Sequence, residues 1–516
     1  MNRTGRRVTV AFAGAVTLVG LLPGVAKAAP APDGAGAVPP IAWAPCVDAP
    51  EADCGTVTVP IDWSRKNGPT IQIALARRKA LDPAARVGTL VMDPGGPGGP
   101  GAELIKQTGD IFTKELQRHY DLVGFDPRGV GNSHPVQCED QPFPAFEEPT
   151  NQAQFDELKA FNRAWVENCR RNTGPLYDFV DTNSVARDMD AIRAGLGDKK
   201  LNYLGISYGT LMGTAYAELF PQRVGRFVLD SNMDHSLKTT WGFVSTESRA
   251  AQENFDQFVA WCRRSTLCIQ HGRDVRAIHH EILKKAEAGE LVFELPDGST
   301  WVVTPLRYLS ELNGSFYGPN WDYVTELMDT LEKAGNGATA QLPAGAFEGP
   351  TVQELVTDPF TAVFCEDWAL PVRNYAELKA MRIASQTLVA PDMQVSPLGW
   401  GATLGCIGLE NRVRNPQHDL KIRGVDSLLM VNSRYDPATP WQWATAAASQ
   451  AKAPLLRYDG WGHYAYEKST CVSGKTDAFL ITGKLPPRGA SCPAVEPVFE
   501  PHARGATAPS LPKNRW

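Results

Sequence analysis

The sequence predicts an α/β fold: a mostly parallel sheet flanked by helices and interrupted by a large, mainly helical insertion. Three observations predict it. Strand-like segments alternate with helical ones from residue 88 to about 234. The same rhythm returns from 421 to 492, and the intervening 235–420 is dominated by long helical stretches with Trp and Pro scattered among loops. With 516 residues, 43% hydrophobic and 21% charged, the chain can bury a large core and fits neither a disordered chain nor a coiled coil.

Taken in order, residues 1–28 carry Arg3, Arg6 and Arg7, an apolar run from Val8 to Leu22 and the small-x-small end Ala26-Lys27-Ala28. That is the pattern of a secretory signal peptide cleaved near Ala28, and the run is short for a membrane span. Arg6-Arg7 leaves a twin-arginine route open beside the general one. The first core part, 29–234, opens with two alternating segments at 56–63 and 70–77, suited to antiparallel strands. The apolar run Gly88–Met92 follows, then the Gly/Pro loop 93–101, a helix from Ala102 and a short strand over Tyr120–Asp126. After an amphipathic stretch at 150–175 come helix Ser184–Leu196, strand Leu201–Ile206, helix Tyr208–Phe220 and strand Arg226–Asp230. Helices Glu247–Arg264 and Val275–Ala288 mark the insertion, 235–420. The second core part, 421–492, holds strand Ser427–Asn432, a helix from Trp441, strand Pro454–Tyr458 and a helix near 476–481. The Pro-rich tail 493–516 is expected to be weakly ordered.

The net charge of −6, with no Lys/Arg block, gives no electrostatic footprint for nucleic acid or an anionic membrane, and no later segment is long enough to span one. The sequence sets no oligomeric state. Ten cysteines in an exported chain invite disulfides. Short loop closure favours neighbour pairing, Cys46–Cys54, Cys138–Cys169, Cys262–Cys268, Cys365–Cys406 and Cys471–Cys492, although sequence alone leaves connectivity open. None has a CxxC spacing.

Gly205-Ile206-Ser207-Tyr208-Gly209 is a Gly-x-Ser-x-Gly motif lying directly after a strand and before a helix. In that context it is a nucleophile elbow, whose tight turn requires small flanking residues. A serine hydroxyl needs a base, and the base needs a carboxylate to orient it. In α/β-hydrolases these follow in the order Ser, Asp, His, on loops after successive strands. Asp436 follows strand 427–432 and His463 follows strand 454–458, so the three form a candidate catalytic triad, Ser207, Asp436 and His463. Asp459 is a rival acid, but it follows the wrong strand. Backbone N–H groups of Tyr208 and Gly96 are the expected oxyanion donors, each worth about 3 kcal/mol.

Two other motifs lead elsewhere. Gly96-x-Gly98-x-x-Gly101 followed by Asp126 mimics a dinucleotide fingerprint, but its prolines, its place after two strands and the export signal weigh against that reading. His280-Glu281 starts a zinc-protease pattern whose second histidine position is Lys284, so it fails. No metal or organic cofactor is needed.

The motifs together resemble secreted α/β-hydrolase peptidases of the tripeptidyl aminopeptidase type, relatives of proline iminopeptidase. Pro94-Gly-Gly-Pro-Gly98 resembles their oxyanion loop, with Pro94 where proline iminopeptidases carry histidine. Asp126–Ser133, Gly205–Gly209, Asp436–Pro440, Gly462-His463 and the Cys471…Cys492 ending extend the resemblance over most of the chain. It implies an exopeptidase acting at free N-termini of peptides or proteins, with the insertion as a lid. A bound α-ammonium needs an acid, since an unpaired buried cation is costly. Glu366 and Asp367, in a Cys-x-Asp element, are offered for that role; a disulfide-anchored acidic loop with a structural salt bridge is the alternative. An esterase or amide hydrolase with the same triad, or a catalytically silent binding protein on this fold, remain the competing functions.

Overall fold

The computed structural model describes residues 38–65, 67–107, 111–294, 300–334 and 355–497. The signal segment 1–28 and most of the tail, 498–516, lie outside them. Ten strands form one sheet: β1 (Ala44–Pro45), β2 (Asp53–Pro60), β3 (Thr70–Arg78), β4 (Gly88–Asp93), β5 (Tyr120–Phe125), β6 (Leu201–Ile206), β7 (Val224–Asp230), β8 (Leu428–Tyr435), β9 (Leu455–Trp461) and β10 (Ser491–Cys492). Their spatial order is β1-β2-β3-β5-β4-β6-β7-β8-β9-β10. β1, β2, β3 and β5 pair antiparallel in sequence, as the alternating patterns of 56–63 and 70–77 predict. Every other pairing, from β5–β4 to β9–β10, is parallel.

The central strands read as continuous apolar runs because helices cover both faces of the sheet. Alternate residues point to opposite faces. Val91, Val123, Tyr203, Phe227, Leu229 and Met430 join one core cluster with the helices Thr182–Gly195 and Tyr208–Leu219. Leu90, Met92, Leu122, Leu204, Val228, Leu429 and Val431 join another with the helices Gly101–Gln107 and Thr470–Thr482.

The inserted segment is not one packing unit. Residues from Ala251 to Ala334 form a third apolar cluster, built on helices Thr240–Arg264, Val275–Glu287, Pro305–Ser315 and Trp321–Lys333. Helices Pro359–Asp367 and Pro397–Cys406 instead bury Phe364, Trp368, Trp400 and Leu404 in the main core. The first helix spans both, with Phe243 and Val244 in the main core and Phe255 and Phe258 in the third cluster.

All ten cysteines pair as neighbours in sequence, Cys46–Cys54, Cys138–Cys169, Cys262–Cys268, Cys365–Cys406 and Cys471–Cys492. Five disulfides are the mark of a chain that matures in an oxidising compartment. No described helix is long and apolar enough to cross a membrane.

Candidate active site

β6 ends at Ile206 and the next helix begins at Tyr208, so Ser207 alone makes the turn. Its φ of 56° and ψ of −121° lie outside the regions an L-residue ordinarily occupies. The flanking glycines permit this. A Cβ on Gly205 would lie 2.4 Å from the Gly209 carbonyl oxygen, and one on Gly209 would lie 2.8 Å from that of Asp93. The Ser207 N–H donates to the Asp230 carbonyl at 2.9 Å, tying the elbow to the end of β7.

The glycine run after β4 packs on this elbow. Gly95, at φ +85°, comes so close that a Cβ there would lie 2.4 Å from the Ile206 carbonyl, 2.7 Å from Tyr208 N and 3.0 Å from Ser207 Cβ. Gly95 N–H is taken by Asp93 Oδ1 at 2.8 Å, and Gly99 N–H by the Gly95 carbonyl at 2.8 Å. Among the described residues, the N–H groups of Gly96 and Tyr208 have no acceptor, which leaves them free for an oxyanion.

Asp436 follows β8 and His463 follows β9 after one residue. His463 Nδ1 lies 2.9 and 3.0 Å from the two Asp436 carboxylate oxygens. With Nδ1 as donor, Nε2 is the acceptor. Asp436 also accepts the N–H groups of Ala438 at 2.9 Å and Thr439 at 2.8 Å, and the Thr439 hydroxyl at 2.9 Å. Burial pushes its carboxyl up. Attraction to His463, the bond to its ring and the two N–H donors outweigh that, so the pKa lies below the usual carboxylate range. Asp459 sits inside β9, which runs on to Trp461, and pairs with Arg457.

The inserted segment reaches this histidine. His463 N–H donates to the Tyr317 carbonyl at 3.0 Å, and the two rings lie 5.0 Å apart. Ser207 and His463 are held to one rim without a direct hydrogen bond among the described residues. Their link is the end of β7: Ile206 pairs with Asp230, Asp230 pairs with Val431, and Tyr464 N–H donates to Ser231 Oγ at 2.9 Å.

The two acids offered for an amine require a correction. Glu366 is 1% exposed, pairs with Arg412 at 2.8 Å and accepts the Val180 N–H at 3.2 Å. Asp367 is completely buried and accepts from Thr182 N–H and Oγ1, Asn415 Nδ2 and the Tyr208 hydroxyl. Neither presents a free carboxylate. Glu366 is already neutralised, and Asp367 anchors the side chain of the residue after Ser207. Both belong to a disulfide-anchored acidic segment, Cys365 being bonded to Cys406.

Sequence reasoning passed over a different acid. Glu247, on helix Thr240–Arg264, is 2% exposed and has one hydrogen-bonding partner among the described residues, Ser396 Oγ, which donates to Oε2 at 3.0 Å. Burial pushes its carboxyl well above the usual range, the Ser396 bond opposes this, and the neighbouring Asp436 charge raises it further. Burial pushes the Tyr317 hydroxyl well above its usual value, and the Glu247 and Asp436 charges push it the same way. Helical periodicity alone carries no signal for such a residue.

Residues 88–470 match the alpha/beta hydrolase fold family. The serine protease Hip1 of Mycobacterium tuberculosis is 30% identical over 492 residues, covering 88% of this chain and 91% of that protein. The tripeptidyl aminopeptidase of Streptomyces lividans is 28% identical over 455 residues, covering 85% and 83%. Carboxylesterase B of M. tuberculosis is 30% identical over 468 residues, covering 86% of each chain. The match spans the elbow, the acid and the histidine alike, and the chain belongs to the alpha/beta hydrolase fold family.

Proposed function

We propose that the chain is an exported serine exopeptidase that cleaves peptide bonds near free N-termini. Ser207 Oγ attacks the peptide carbonyl while His463 Nε2 takes its proton. The C–N bond then breaks, His463 protonates the leaving amine, and water hydrolyses the acyl-enzyme by the same route in reverse. Asp436 orients the imidazole, and the N–H groups of Gly96 and Tyr208 receive the oxyanion. The observation that carries the reading is the hydrogen-bonded Asp436–His463 pair at the rim where the strained Ser207 turn is exposed to a glycine loop.

Glu247 supports the exopeptidase half. Held neutral by burial and with a single hydroxyl partner, this acid can give up its proton beside an arriving cation, and an α-ammonium is such a cation. The names of two relatives, a tripeptidyl aminopeptidase and a serine protease, agree. The relative named a carboxylesterase favours esterase chemistry as the second reading. Export, with cleavage near Ala28, accords with the five disulfides and is checked by N-terminal sequencing of the mature chain.

Chromogenic tripeptide amides with free and acetylated N-termini test the function. The wild type is expected to cleave the free form and to leave the blocked one, while Ser207→Ala cleaves neither and takes no fluorophosphonate label. Glu247→Gln is expected to raise KM for the free form about 10- to 100-fold, the worth of one charge-assisted hydrogen bond, with kcat nearly unchanged. Equal cleavage of both forms assigns the protein to the esterase or amidase reading.

A further inference from the structure

We propose that Asp230 is a positioning residue that joins the nucleophile elbow to the histidine loop and sets the approach of Ser207 to His463. It rests on the reading of those two residues as nucleophile and base. No step of the mechanism above uses Asp230, yet three segments of the site converge on it. Its main-chain carbonyl accepts the Ser207 N–H at 2.9 Å. Its carboxylate accepts the N–H groups of Ala465 at 3.1 Å and Tyr466 at 2.9 Å, the second and third residues after His463. The next residue, Ser231, at φ 64°, donates its N–H to the Val431 carbonyl on β8 at 3.0 Å and accepts the Tyr464 N–H on Oγ at 2.9 Å. Three consecutive N–H groups behind the imidazole are thus fixed by two adjacent residues, and one of the two also fixes the nucleophile.

The carboxylate is not held there by a cation. It is completely buried and has no ion pair among the described residues. Burial pushes its carboxyl up to about 7, the two N–H donors oppose this, and Asp436 raises it while His463 draws it down. The groups facing it are Asp436 from the loop after β8, His463 and Tyr464 from the loop after β9, and Lys468 from the short helix beyond. A group held at this energetic cost, with both oxygens spent on the histidine loop, is accounted for by the geometry it enforces. A displacement on the order of 1 Å between reacting groups reduces rate about 100-fold.

Asp230→Asn tests it, because the amide keeps the volume and the main-chain carbonyl but can accept only one of the two N–H groups. The expected result is a fall of about 10- to 100-fold in kcat with KM within about twofold. Fluorophosphonate labelling slows in parallel. Ser231→Ala removes the Tyr464 acceptor together with the hydrogen bond that the Ser231 hydroxyl donates to Asp230 Oδ1 at 3.3 Å, and is expected to show the same split at a smaller size, about 2- to 5-fold; it decides the matter if Asp230→Asn does not fold. A folded Asp230→Asn with the kcat of the wild type overturns the proposal. So does a variant whose melting temperature alone falls, which makes Asp230 a cap on the following helix and nothing more. Absence of labelling in the wild type itself refutes the hydrolase reading, a different failure from either of these.

Discussion

The carboxyl ends of β4 and β8 carry the same dipeptide, Asp93-Pro94 and Asp436-Pro437, and both aspartates are buried, at 0% and 1% exposure. Their charge states are opposite. Asp436 meets an imidazole, two N–H groups and a hydroxyl, and its pKa lies below the ordinary value despite burial. Asp93 accepts one N–H, from Gly95, and its other oxygen has no partner among the described residues. Burial pushes its carboxyl up to about 8, the Gly95 bond opposes this, and the nearby Asp126 adds to the rise. Burial acts on the two alike, so the number of donors decides which aspartate can hold the charge that a triad requires.

Substitution by Asn separates the two ends most sharply. At Asp436 the amide turns the imidazole to the wrong tautomer, and kcat is expected to fall about 10⁴-fold with KM little changed. At Asp93, where the acid is neutral around pH 7, the same change is expected to leave kcat within a few-fold. Steady-state kinetics on a tripeptide amide checks both, and a large loss at Asp93 with a small one at Asp436 would reverse the comparison.

A third Asp-Pro step sharpens it. Asp126, at the end of β5, accepts the N–H groups of Ala102 at 3.0 Å and Asn132 at 2.9 Å, one on each oxygen. It joins the helix after the glycine loop to the loop after β5 and touches neither Ser207 nor His463. Asp126→Ala orphans the buried Ala102 donor while water can take the N–H of the exposed Asn132, and it is expected to lower stability by about 1–3 kcal/mol with kcat near that of the wild type. Urea unfolding beside kinetics reads this; a loss of kcat at full stability would place Asp126 in the catalytic machinery.

These three aspartates also mark how far the sequence could be read. The places of Ser207, Asp436 and His463 are legible because they are local features: Ser207 between a strand and a helix, Asp436 after β8, His463 after β9. Asp459 lies inside β9, which runs three residues further than its apolar pattern, with Tyr435 and Trp461 pairing at the rim. What depends on chain return was not legible. Nothing near Glu366 announces that Arg412, 46 residues on, folds back to neutralise it. Nothing in the helix pattern around Glu247 announces Asp436. Nor does the helical character of 359–406 say whether it belongs to lid or core. That is decided by Phe364, whose ring lies 6.2 Å from Tyr208, 5.8 Å from Phe243 and 5.6 Å from Trp368.

The smallest effect expected is on the stability of Asp93→Asn, and its sign follows from linkage. The folded chain keeps on Asp93 a proton that the unfolded chain, with an ordinary value of 3.8, has released. From about pH 4 to pH 8 the folded state therefore binds more protons than the unfolded one, and wild-type stability declines as pH rises through that window. Asparagine does not titrate. Its Oδ1 can still accept the Gly95 N–H, while its amide N–H groups take the place of the unpartnered oxygen and cost about 1–3 kcal/mol. The variant is thus expected to be no more stable than the wild type near pH 4, to gain on it steadily above that, and to lead it near pH 8, after which the difference levels. Urea midpoints at pH 4, 6 and 8 measure the slope. A stability difference independent of pH would mean that Asp93 is ionised in the folded chain, and that one N–H donor suffices to hold a charge at the end of β4 as five contacts hold it at the end of β8.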